Sequence, residues 1–73
     1  MATIKIKYPK NQTPVKTYYN QDHIPIYVIT RDKIGEYILN QIDSTGKLTK
    51  LKTGQTPIKL NDYATEQIMK GMK

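Results

Sequence analysis

Asp43-Ser44-Thr45-Gly46 stands between two runs, 36–42 and 47–53, whose side chains alternate as strands do. No other feature of the chain constrains its fold as much. The four residues suit a type I turn with glycine at the left-handed G1-bulge position, where a side chain would be strained. That turn pairs Asp43 with Lys47, Ile42 with Leu48, Gln41 with Thr49, Asn40 with Lys50 and Leu39 with Leu51. Apolar then meets apolar, and a slip by one residue would turn every side chain to the wrong face.

The same period of two recurs upstream. In Thr-Ile-Lys-Ile-Lys-Tyr, 3–8, Ile4, Ile6 and Tyr8 share one face and Lys5 and Lys7 the other, as in a half-buried strand. Pro9 and Pro14 bracket a polar turn. A weaker strand covers 15–19, with Val15, Thr17 and Tyr19 opposite Lys16 and Tyr18. Residues 24–30 are apolar on both faces and read as a central strand, with Pro25 at its start because proline cannot donate to a ladder. Gly35 suits a left-handed turn position. After the break at 54–57, Ile58 and Leu60 suggest a short last strand. Asn61 or Asp62 can then cap a helix reaching about Lys70, its apolar stripe set by Ala64, Ile68 and Met72.

The expected fold is mostly β (a small α+β domain). It is a curled antiparallel sheet of about five short strands, an SH3-like or OB-like barrel, with a short C-terminal helix; an open meander with the helix across one face is the alternative. The 73 residues, 1–73, make a single small domain. Without cysteine there are no disulfides, thiolate metal sites or cysteine nucleophiles. The alternating N-terminus lacks the apolar run of a signal peptide and no stretch is long enough to span a membrane, so a cytoplasmic protein without membrane partner is expected.

Catalytic constellations are missing. His23 is the one histidine, with only Asp22 beside it, and reads as a loop imidazole. Ser44-Thr45-Gly46-Lys47 lacks the glycine run of a phosphate loop, and a hairpin turn explains it. Asn11-Gln12-Thr13 matches a glycosylation sequon, which has no meaning in the cytoplasm. No cofactor, metal or enzymatic activity is expected.

Charge supplies the functional lead. The net charge is +6, and the stretches 1–20 and 44–60 hold lysines with no acid. If the strands that carry them are neighbours, Lys5, Lys7, Lys50 and Lys52 form one cationic surface, with Lys16, Tyr18 and Tyr19 extending the candidate binding surface. Phase with Ile4 and Ile6 buries Tyr8, whereas Tyr18 falls out of phase with Val15 and is the best candidate for an exposed ring. Eleven lysines against one arginine favour point-charge attraction over bidentate phosphate recognition.

The expectation is a small non-enzymatic binding module, a regulatory or accessory domain for a protein partner with an acidic surface. Such domains are common among accessory proteins of bacteria and their phages. One alternative is a single-stranded or non-specific nucleic-acid-binding domain using a Lys/Tyr sheet face. Another is a structural homo-oligomer, of which a homodimer is the simplest form.

Overall fold

The computed structural model describes residues 5–70. Four strands, β1 (Gln12–Tyr19), β2 (Pro25–Asp32), β3 (Tyr37–Ile42) and β4 (Leu48–Gly54), precede one helix, α1 (Pro57–Lys70). Each strand pairs antiparallel with the next, in the order β1-β2-β3-β4. Among the described residues the sheet is therefore an open four-stranded meander with β1 and β4 at its edges, not a closed five-stranded barrel.

Three hairpin turns of one design build the meander. Asn20, Asp32 and Asp43 open them, and the side-chain Oδ1 of each accepts from the backbone N–H groups two and four residues on, at 2.8–3.1 Å. The fourth residue of each turn is left-handed: His23 at φ 62°, Gly35 at 89° and Gly46 at 87°. This is the type I turn plus G1 bulge expected for 43–46, used three times. Glycine takes the left-handed position at no steric cost; His23 does not.

The β3–β4 register matches expectation from Ile42↔Leu48 through Asn40↔Lys50, then departs from it. A bulge places Leu39 opposite Lys52 rather than Leu51, and Leu51 is left 37% exposed. The helix-side position next to Leu39 lies beneath Tyr63. Lys52 stands there, exposed, and holds its ammonium 4.5 Å from the centre of the Tyr63 ring.

α1 starts earlier than expected. Ile58 and Leu60 belong to its first turn rather than to a strand, and the start lies at Thr56-Pro57, not at Asn61 or Asp62. Proline at the first helical position needs no N–H partner and has its φ preset. Leu60 and Ala64 are buried against Tyr18, Ile29 and Leu39, with Tyr27, Tyr37, Tyr63 and Ile68 packed round them. Full burial of Ile29, Leu39 and Leu60 contributes about 1.5–3 kcal/mol each. Met72 lies outside the described residues.

The face away from α1 is buried as well. Val28 and Thr30 have no exposure, and Asn40, Ile38 and Ile42 nearly none. Asn40 Nδ2 donates to Thr30 Oγ1 (3.1 Å), and that hydroxyl donates to Gln12 Oε1 (2.8 Å), so no buried side-chain nitrogen or oxygen among the described residues lacks a partner. The cover comes from the chain before β1. Lys7 N–H donates to Gly46 O at the β3–β4 turn (3.0 Å), and Gln12 N–H closes a turn onto Pro9 O (3.1 Å).

In a flat sheet Gly46 and Gln12 would stand at diagonal corners, about 25 Å apart. Residues 7–9, the turn and the bond to Gly46 together reach only about 20 Å. The sheet is therefore curled, and residues 5–11 bridge the two corners across its concave face. These residues are not a strand over 5–8; positions 3 and 4 of the expected strand lie outside the described residues. Alternation served to bury Ile6 partly beneath a crossing segment rather than in a ladder. Tyr8, expected in the core, is 37% exposed there.

Candidate functional site

The seven residues singled out from the sequence fall into three places. Lys5 and Lys7 lie on the crossing segment beside Gly46. Lys16, Tyr18 and Tyr19 belong to β1. Lys50 and Lys52 share β4 but not a face: the bulge sets Lys50 with Asn40 on the concave side and Lys52 with Leu39 on the helix side. Lys5, Lys7 and Lys50 can therefore share a surface from which Lys52 is turned away.

Tyr18 is not an exposed ring. It is 8% exposed and part of the core under α1, whereas Val15, expected inward, stands in a β1 bulge at 49% exposure. That bulge, between Pro14 and Lys16, shifts the phase of the strand and turns Lys16 and Tyr18 toward the helix. Tyr18 Oη donates to Asn61 Oδ1, and Lys16 Nζ donates to the same oxygen at 3.3 Å while lying 5.1 Å from the Tyr18 ring centre. Burial, with Asp62 adding to it, raises the Tyr18 phenol above its ordinary pKa, so it is held as a neutral donor.

This corner has an open side. Between β1 and the first turn of α1 runs a groove lined by Val15, Lys16, Tyr18, Pro57, Ile58 and Asn61. Its rims are apolar and wet: Ile58 is 67% exposed and Val15 49%. Tyr19, 55% exposed, ends the strand beside a broad open depression of mixed character that Tyr27, Gln41 and Ile68 also line. The groove leaves little sign in the sequence, because Ile58 reads as a strand residue until Thr56-Pro57 is taken as a helix start.

The two sheet edges differ. β4 carries Lys50 and Lys52, follows Lys47, and so presents charge that discourages another strand. β1 carries a single charge, Lys16, whose ammonium is drawn toward Asn61. The first turn of α1 holds no acid and carries Lys59, so Asp62 is the carboxylate near Tyr18. Among the described residues no three His, Asp or Glu side chains gather as a metal site would need, and no helix is long and apolar enough to cross a membrane. Comparison with protein-family models, with curated proteins and with solved structures finds no match in any of the three.

Proposed function

We propose that this chain is a small non-enzymatic binding module that takes an extended segment of a protein partner along β1. The partner seats an apolar side chain in the groove between Val15 and Ile58. The observation that carries this reading is the groove itself, an apolar trough along the sheet edge that carries one lysine, Lys16, rather than two. Strand addition uses the outward N–H and C=O groups of an edge strand for affinity and flanking pockets for specificity. The net charge of +6 steers acidic partners toward the molecule.

The same edge argues against a second copy as the occupant. Antiparallel self-pairing of β1 in any register that sets the two Lys16 side chains opposite or diagonal to one another is destabilising. The nucleic-acid reading based on a sheet face loses its platform, since α1 covers one face, residues 5–11 cross the other, and Tyr18 is buried.

Selection from a displayed random-peptide library, followed by affinity measurement, tests the reading. Enriched peptides should be apolar and acidic, and Val15→Glu or Ile58→Glu should weaken them about tenfold or more by putting charge in the anchor pocket. Both positions are exposed, so the variants keep the fold. No enrichment, or peptides indifferent to both substitutions, contradicts the proposal.

A further inference from the structure

We infer that the crossing segment and the β3–β4 corner form a second binding surface, for single-stranded nucleic acid, independent of β1. Gly46 is where the two meet. A Cβ on this residue would lie 2.0 Å from the Lys5 carbonyl oxygen and 2.8 Å from its carbon, and Lys7 N–H bonds to the Gly46 carbonyl. Gly35, at the same position of an equivalent turn, has only the Arg31 guanidinium nearby, at 3.4 Å. The left-handed φ is common to both turns; the backbone-to-backbone approach is particular to Gly46. Its effect is to hold Lys5 and Lys7 against Lys47.

Around that junction five exposed lysines gather about a single exposed acid, Asp43. Lys5, Lys7, Lys10, Lys47 and Lys50 are all exposed, and Lys50 faces the same concave side that the segment crosses. None pairs with a carboxylate among the described residues, where the one ion pair is Lys70–Glu66 on the helix. Asp43 Oδ1 accepts from Thr45 Oγ1 and from the N–H groups of Thr45 and Lys47, so its charge is tied to the turn and offsets part of Lys47. Tyr8, between Lys7 and Lys10 in the chain, has 37% of its surface open.

Lysines spaced along an extended backbone with a ring between them are what a single strand needs: point charges for successive phosphates and a face for an unpaired base. Tyr8 favours the single strand, whose unpaired bases stack on a ring while its phosphates meet the lysines. This surface differs from the Lys/Tyr sheet face expected from the sequence: it lies on the crossing segment and uses Tyr8 in place of Tyr18 and Tyr19.

The test is fluorescence anisotropy with a labelled oligothymidylate and a duplex of equal length, at 50 and 200 mM salt. Four lysine–phosphate contacts predict about a fifty-fold loss of affinity across that range. Lys5→Glu with Lys7→Glu should weaken single-strand binding at least tenfold, and Tyr8→Ala about fivefold or more. Lys33→Glu with Lys59→Glu, which makes the same change in net charge away from the junction, should change it little. Circular dichroism confirms that each variant is folded. Equal loss in both double variants, indifference to Tyr8→Ala, or equal binding of single strand and duplex overturns the inference. So does displacement of the oligonucleotide by polyglutamate at equal charge, which would assign the corner to acidic proteins. None of these results bears on Val15 or Ile58, so failure here leaves the β1 reading standing.

Discussion

Replacing Gly46 by alanine should cost the protein far more than the same change at Gly35, although the two turns share one design. At Gly35 the penalty is that of a left-handed alanine, about 1–2 kcal/mol, because the Cβ would meet only a flexible guanidinium. At Gly46 the same penalty applies, and the new Cβ also falls inside the Lys5 carbonyl. The crossing segment must then lift. That breaks the Lys7–Gly46 hydrogen bond, a loss of about 0.5–1.5 kcal/mol. It also admits water over Ile38, Ile42 and Val28, and re-exposing even one such side chain costs about 1.5–3 kcal/mol. Gly46→Ala should therefore lose roughly 2 kcal/mol or more beyond Gly35→Ala, from the hydrogen bond and one re-exposed side chain together. Urea denaturation followed by circular dichroism measures the difference. For a domain of this size it corresponds to roughly 10 °C in melting temperature. Asparagine at the same two positions removes most of the conformational term and should keep the gap. Equal losses at the two glycines would refute the claim that residues 5–11 are seated on the β3–β4 turn.

His23→Gly relieves the one left-handed non-glycine residue and should stabilise by about 0.5–1 kcal/mol, read from the same denaturation curves. Leu39→Ala should cost about 2–5 kcal/mol, whereas Leu51→Ala should cost under about 1 kcal/mol because the bulge leaves Leu51 at the surface. The turn hydrogen bonds, that from Thr45 Oγ1 first, hold the Asp43 carboxyl below its ordinary pKa. Its contribution is therefore present above the unfolded-state value and lost as pH falls through the folded one, so Asp43→Asn should flatten the acid limb of stability against pH. The Tyr18 phenol is raised, so its contribution is present below the unfolded-state value and lost as pH climbs through the folded one; Tyr18→Phe should flatten the alkaline limb. Light scattering at tens of micromolar should find a monomer, since Lys16 opposes self-pairing of β1.

Local chemistry was legible in the sequence where it is decided locally. The turn at 43–46, the pairs from Ile42↔Leu48 to Asn40↔Lys50, Pro25 at the start of a central strand and the left-handed Gly35 follow from backbone sterics and period-two patterning. What the pattern could not hold was phase beyond a bulge. One extra residue at Val15 exchanged the inward and outward sets of β1 and buried Tyr18; another at Leu51 parted Lys50 from Lys52. Alternation in residues 5–8 was equally blind to its partner, because a segment laid across a curled sheet hides every second side chain just as a strand does. The helix start was written in Thr56-Pro57 and was masked by the apolar Ile58 and Leu60. Of the candidate site, the lysines and Tyr19 were visible; the groove was not, since it exists only where the bulged β1 meets the first turn of α1.

The most direct test of the central claim is amide hydrogen exchange at β1, with and without a saturating peptide selected from the displayed library. In the free protein the outward amides of Gln12–Tyr19 should exchange rapidly while those of β2 and β3 are protected. With peptide bound, protection should rise along β1 and at the first turn of α1, and β4 should be unchanged. Protection that rises instead at β4 or over residues 5–11, with β1 unaltered, would contradict the assignment of β1 as the binding edge.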